Sequence, residues 1–349
     1  MNDTIDSPLI TAARRLDAIL RDGGYHRIVG APHVMDQLVH RDTRVAEYLW
    51  NHGTNATPTT RDLLKFAFFC QPLSISRALN ILSKPVLDAL NGLGILNFDG
   101  DLVFLLNHML LVYHGCSFIA PRFINPSNPI DLYLGWDSLR LASHLRTNYS
   151  KSLFEVGAGT GIIGLIGTNS SYLASEISAR ATKIASFNFA LNQQERRCAA
   201  VCGNLLEQLD CRDQRIVVSN PPYVAAPSEL PLPVYSMGGV DGLDMVRRIV
   251  TSWNRFINSP ACVFILRAYG EQRAEKLESF LNQHHGCATI TLQYLSDTPL
   301  TEEDFMALVL GSGGEEEQIE KRNKLFQNHY DRQGFTRQFD ILATLTRNP

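Results

Sequence analysis

The tetrapeptide Asn220-Pro221-Pro222-Tyr223 follows the apolar run Ile216 to Ser219, which reads as a short buried strand. Two prolines remove backbone donors and stiffen the chain just beyond the strand end. Asn220 then offers its side-chain oxygen and Pro221 its free carbonyl at one spot. Together they accept both hydrogens of a planar NH2 group and aim its nitrogen lone pair for attack. Tyr223 adds a flat face against such a group. Asn220, Pro221 and Tyr223 are the candidate catalytic set for group transfer to an amide or exocyclic amine. No histidine adjoins Asn220, and a nitrogen that loses its proton after attack demands none.

Upstream, SLFEVGAGTGIIGLIG spans residues 152 to 167. Ser152 to Val156 reads as a strand, Gly157, Gly159 and Gly161 as a tight turn, and Ile162 to Ile166 as the start of a helix. Glycines let the chain bend sharply and bring its amides close to a ligand. This is the logic of a nucleotide-binding unit at the carboxyl edge of a parallel sheet. A dinucleotide fingerprint would face a pyrophosphate, and Glu155, near the end of the strand that leads into the turn, is poorly placed beside one. A carboxylate there suits a cationic, amine-bearing ligand, which points to S-adenosyl-L-methionine rather than NAD. Glu176 ends the next strand, where an acidic side chain accepts bonds from ribose hydroxyls. CAAVCGN reads as the third strand, after which Asn204 and Leu205 flank the adenine, and Asn220 borders the same pocket. The candidate cofactor-binding set is therefore Glu155, Gly157, Gly159, Gly161, Glu176, Asn204, Leu205 and Asn220.

With these features the chain resembles class I S-adenosylmethionine-dependent methyltransferases of the small-domain family with an NPPY loop. That family includes release-factor glutamine methyltransferases and enzymes that methylate base amino groups in nucleic acid. The stretch Gly238-Gly239-Val240-Asp241-Gly242-Leu243-Asp244 resembles the GGxDGLD segment of the glutamine methyltransferases. Tyr133 to Ser138 resembles the lip of the cofactor pocket in other bacterial relatives. The likeness runs from about residue 130 to 298, and the amino-terminal region departs from it. It implies a Rossmann-like, seven-stranded methyltransferase sheet and N-methylation of a planar amide or amine nitrogen, most like that of a protein glutamine. A small-molecule acceptor and a nucleic-acid amino group are the alternatives.

The elements that must position these residues are legible along the chain. Its 349 residues are 45% hydrophobic, enough for two domains. The expected division is a helical plus winged-helix-like domain over 1–120 and a cofactor-binding domain over 121–349, the latter with an insertion at about 299–338. In the first, Ser7 to Gly24 and residues 33–51 read as helices, and Thr60 to Cys116 as three helices and a hairpin turning at Asp99-Gly100-Asp101. A winged helix that grips phosphates accumulates positive charge. Residues 53–116 balance Arg61, Lys65, Arg77 and Lys84 against Asp62, Asp88, Asp99 and Asp101, and the whole chain has a net charge of −3. Both balances disfavour a nucleic-acid partner.

In the second domain, ACVFIL and TITLQYL read as further strands, residues 271–284 as a helix and FDILATLTR as a last, antiparallel strand. The insertion reads as a solvated helix that could lie over the substrate. The start of the chain lacks a signal-peptide pattern and no apolar run spans a membrane. Seven cysteines without paired CxxC spacing fit buried thiols in a reducing cytoplasm; Cys198, Cys202 and Cys211 have no nearby histidine to complete a metal site.

Overall fold

The computed structural model describes residues 7–39, 44–54, 56–122, 132–204, 214–230, 232–286, 288–301, 304 and 316–347. The chain opens on α1 (Ser7–Asp22), whose Ala12, Ala13, Leu16 and Leu20 are buried at helical spacing, then α2 (Tyr25–Val29). Of the helix expected over 33–51 the structure describes α3 (Pro32–Val39) and α4 (Arg44–Thr54); residues 40–43 between them lie outside the described set. Next come α5 (Pro58–Leu63) with a π turn over Leu64–Phe68, β1 (Leu73–Ser74), α6 (Ile75–Leu82), α7 (Lys84–Gly92), β2 (Leu96–Asp99) and β3 (Leu102–Leu105). The side chains of Thr57 and Ser74 cap α5 and α6 by accepting the amides of Thr60 and Arg77. The β2–β3 hairpin turns at Gly100 and pairs with β1 in a three-stranded sheet ordered β1-β3-β2. A second hairpin, β4 (His108–Tyr113) and β5 (Cys116–Pro121), follows it. Its turn falls at His114-Gly115, both with positive φ.

The remainder comprises α8 (Trp136–Asn148), β6 (Leu153–Val156), α9 (Ile162–Ile166), β7 (Tyr172–Glu176), α10 (Ala179–Leu191), β8 (Cys198–Cys202), β9 (Ile216–Ser219), α11 (Asp244–Trp253), β10 (Ala261–Gly270), α12 (Glu275–His284), β11 (Ala288–Pro299), α13 (Glu316–Gln333) and β12 (Arg337–Arg347). Seven of the strands form one sheet in the order β11-β12-β10-β9-β6-β7-β8. All neighbours from β10 to β8 are parallel, and β12 runs antiparallel to both β10 and β11. Strands β6, β9 and most of β10 are buried on both faces, which is why they are predominantly apolar rather than alternating. Edge strand β11 alternates instead.

The chain leaves β6 towards β7 and β8 on one side, then returns to β9 and β10 on the other. A crevice therefore opens at the carboxyl ends of β6 and β9, where ligands bind in such sheets. Val156 lies opposite Ser219 across that pair, and the Ser219 hydroxyl donates to the Val156 carbonyl at 2.8 Å. The strand ends carrying the two motifs are thereby pinned side by side.

The amino-terminal elements share one apolar core with the sheet, running from Ala13 through Phe118 and Phe189 to Val218 and Val263. Helix α1 packs on α10 and α7. Two asparagines, Asn188 within α10 and Asn192 at its C-cap, act as surrogate strand partners for β5. Asn192 accepts from the Ser117 amide and donates to its carbonyl. Asn188 accepts from the Ile119 amide at 2.8 Å and donates to the carbonyls of Ile119, at 3.1 Å, and Thr160, at 2.8 Å. Thr160 belongs to the glycine turn, so one fully buried side chain ties hairpin, helix and turn together. Asn188→Ala leaves three buried backbone groups without their partner. It is expected to lower stability by about 3 kcal/mol, read as a lower urea midpoint at unchanged slope. Asn192→Ala, at a partly exposed position, is expected to cost less.

Candidate active site

The glycine turn closes on itself at the end of β6. Gly157 and Gly161 have φ of +84° and +77°, a region that side chains resist. The Gly157 and Ala158 amides both donate to the Ser175 carbonyl, at 2.8 and 3.2 Å. At Gly161 a Cβ would meet the Phe189 ring at 2.8 Å, so the turn is seated directly on α10. At Gly157 a Cβ would meet nothing within 4 Å, so a ligand has room against that backbone. Glu176 stands at the end of β7 with both oxygens engaged: one accepts the Gly159 amide at 3.0 Å, the other the Ser178 amide at 2.9 Å. Each oxygen retains a second lone pair for a ribose hydroxyl. The side chain thus sets the turn's shape as well as its chemistry.

Two of the expected cofactor contacts look different in the structure. Glu155 does not open onto the cradle: it is 2% exposed, and its carboxyl takes the hydroxyl of buried Tyr172. Burial pushes that carboxyl well above the usual carboxylate range despite the Tyr172 bond, and nearby Glu176 pushes it the same way. The side chain that sequence reasoning set against a cationic ligand is packed into the base of the turn. Asn204 lies beyond β8 with its oxygen accepting from Arg248 at 3.1 Å. Leu205 and Cys211 fall outside the described residues. Cys198 is buried and Cys202 exposed. Among the described residues no cluster of His, Cys, Asp or Glu could hold a metal, and no helix is long and apolar enough to cross a membrane.

At the end of β9, the Asn220 amide nitrogen donates to the Ser138 hydroxyl at 2.9 Å and lies beside the Asp137 carboxylate, which it helps to stabilise. Its oxygen is enclosed and has no hydrogen-bond partner among the described residues. The Tyr223 hydroxyl donates to Asp137 at 2.9 Å, and Tyr133 donates to the same carboxylate at 3.1 Å. Asp137 also accepts the Ser138 amide at 2.8 Å. Burial raises its pKa, and these bonds oppose the rise. Tyr133 stacks on Tyr235 with ring centroids 6.1 Å apart, and its backbone carbonyl lies over Gly159. The segment from Tyr133 to Ser138 therefore bridges the glycine turn and the NPPY loop.

The glycine-rich segment after the loop is its brace. A Cβ on Gly238 would meet the Tyr223 backbone at 2.7 Å, and one on Gly242 would meet the Tyr223 carbonyl at 2.5 Å. Backbone bonds from Val224 to Ser236, Gly238 to Val224 and Ala226 to Gly239 lock the two stretches together. Asp241 then anchors the brace to α11 through an ion pair with Arg247. Behind it, Phe326 and Tyr330 of α13 pack with Phe335, Tyr269 and Val224 to Ala226, and His329 bonds the Val240 carbonyl at 2.7 Å. Most of TEEDFMALVL, in the same insertion, lies outside the described residues.

Sequence reasoning placed Asn220 and the glycine turn at one site, and the structure brings them to adjacent strand ends. It set Asp137 and Ser138 at the lip of the cofactor pocket by resemblance, but missed them as partners of the loop; by residue type alone, an acid and a hydroxyl at a helix start read as capping.

Residues 136–230 match the model of the methyltransferase small domain. The chain is 30% identical over 148 residues to a ribosomal protein uL3 glutamine methyltransferase of Burkholderia pseudomallei, covering 37% of this chain and 48% of that protein. The counterpart of the same name from Bordetella pertussis is 27% identical over 220 residues, 59% of this chain and 69% of that one. A bifunctional methyltransferase of Rickettsia prowazekii is 26% identical over 172 residues, 44% of this chain and 33% of that one. The chain thus spans a third of the Rickettsia protein and about half of the Burkholderia one. With the β6–turn–α9 unit, the loop at the end of β9 and the antiparallel β12, these matches identify residues 136–230 as a methyltransferase small domain of the class I, S-adenosylmethionine-dependent kind.

Proposed function

We propose that this chain is an S-adenosylmethionine-dependent N-methyltransferase acting on a planar amide nitrogen, with the side-chain amide of a protein glutamine as its acceptor. One observation carries the reading: the Asn220 oxygen is enclosed at the strand end beside the glycine turn and lacks a donor among the described residues. A buried acceptor left without a partner is costly, and a primary amide brings the N–H it lacks. The carbonyl of Pro221, next in the chain, takes the second hydrogen, so that the acceptor nitrogen is held in the plane that exposes its lone pair.

The residues around the turn fit the cofactor. Gly157 leaves room against its backbone, Glu176 has lone pairs for both ribose hydroxyls, and Asn204, just beyond β8, would border the adenine. When bound, S-adenosylmethionine supplies an electrophilic methyl group. The protein's own contribution is alignment, and alignment alone is worth several orders of magnitude in rate. The glutamine acceptor is supported by the names of the Burkholderia and Bordetella relatives and by the Gly238–Asp244 brace behind Tyr223.

The purified protein is expected to bind S-adenosylhomocysteine in calorimetry and to transfer labelled methyl to a glutamine peptide, but not to the matched glutamate peptide. Label appearing instead on free amino acids or on an oligonucleotide would move the acceptor to those classes. Absence of cofactor binding would overturn the whole reading.

A further inference from the structure

A carboxamide is nearly symmetric in shape. Its terminal torsion has two broad wells, and swapping oxygen for nitrogen costs little sterically. For Asn220 the choice is chemical. With its oxygen towards the crevice, the site accepts the hydrogens of an NH2 group. With its nitrogen there, it would donate to the incoming nitrogen or carbonyl and tie up the electrons needed for attack. Something must decide which end faces out.

Ser138 alone does not decide it, because a hydroxyl donates as readily as it accepts. Asp137 breaks the tie. Three donors converge on its carboxylate: the Tyr133 hydroxyl, the Tyr223 hydroxyl and the Ser138 amide. It therefore acts as an acceptor towards everything around it. The Asn220 NH2 end lies on that side, 2.9 Å from the Ser138 hydroxyl, and the opposite oxygen is enclosed without a donor among the described residues. An oxygen turned towards Asp137 would face a carboxylate, which supplies no hydrogen and repels it. The same carboxylate fixes the Tyr223 hydroxyl, and hence the tilt of the ring beside the acceptor.

We propose that Asp137 and Ser138 are positioning residues that hold the Asn220 carboxamide with its oxygen turned away from Asp137 and lock the Tyr223 ring, so that the site selects a hydrogen-donating NH2 acceptor. The proposal rests on the reading of Asn220 as the acceptor-binding group. Its first test does not depend on activity. In protein labelled with 15N-asparagine, the Asn220 side-chain NH2 signal is assigned by its loss in Asn220→Ala, and its hydrogen exchange is followed. Protection is expected in the wild type and in Ser138→Thr, which keeps the hydroxyl. Exchange at least ~10-fold faster is expected in Ser138→Ala and in Asp137→Asn, where a hydrogen-bonded amide becomes free to turn. Exchange unchanged in both variants would overturn the proposal.

S-adenosylhomocysteine binding reports whether each variant is folded; should Asp137→Asn fail that check, Ser138→Ala and its threonine rescue decide. The second readout is methyl transfer to a glutamine peptide. Misorientation predicts a kcat about 10- to 100-fold lower in Ser138→Ala, with a much smaller change in KM. A fall in KM-determined affinity alone, with kcat intact, would count against the proposal. A protected Asn220 amide in a wild-type protein that methylates no amide would sink the proposed function while leaving the orientation device standing.

Discussion

Asn220→Ala is expected to lower methyl transfer by roughly 10²- to 10³-fold while changing cofactor affinity less than about 3-fold. The two effects separate because of where the side chain points. Its nitrogen is committed to Ser138 and its oxygen to no residue of the described chain, whereas the cofactor cradle is built from the turn after β6 and from Glu176. Alanine removes the acceptor that orients the incoming nitrogen and leaves the cradle intact. Asn220→Asp sharpens the point. It preserves shape and adds an acceptor, yet sets a second carboxylate beside Asp137. Like charges that close cannot both ionise comfortably, so the aspartate variant is expected to be no better than alanine near neutral pH. Single-turnover assays with saturating cofactor separate the chemical step from binding. An alanine variant within about 3-fold of wild type would show that Asn220 only terminates a strand.

How much of this was legible follows from sequence separation. The glycine turn and the NPPY loop are local motifs at the ends of short apolar runs, and a parallel sheet brings such ends to one edge. The seven-stranded sheet with an antiparallel last strand was likewise expected and is observed. The bond between Asn220 and Ser138 links residues 82 apart, and the bond between Tyr223 and Asp137 links residues 86 apart. No periodicity or spacing encodes either. Asn188, within the apolar stretch of α10, and Asn192, at its C-cap, carry no sign of their role until the edge of β5 is seen beside them. Glu155 shows the opposite failure. Its type and position at a strand end were legible, but its enclosure depends on Tyr172 of the neighbouring strand. The Gly238–Asp244 segment was recognisable as a motif, and only the close approach of Gly238 and Gly242 to the Tyr223 backbone explains why side chains are excluded there.

Glu176→Ala is expected to weaken S-adenosylhomocysteine binding by about 100-fold, the loss that follows when hydrogen bonds to a charged group worth about 3 kcal/mol are removed. Part of the effect comes from the ribose hydroxyls. Part comes from the turn itself, since the same carboxylate holds the amides of Gly159 and Ser178. Two further variants divide these contributions. Glu176→Asp shortens the side chain by one methylene and cannot span both amides, so the turn should loosen. Glu176→Gln keeps the length but must turn an NH2 group towards one of two backbone donors, leaving that amide without its acceptor. Both are therefore expected to fall nearer to alanine than to wild type. If Glu176 merely favoured the start of α10, its loss would cost only the modest stabilisation of a carboxylate near a helix start, and cofactor affinity would hold. Calorimetric titration beside a thermal melt distinguishes the two: a lowered melting temperature with unchanged Kd would remove Glu176 from the cofactor site, whereas a lost Kd with a small melting shift would tie the glycine turn and the ribose to one side chain.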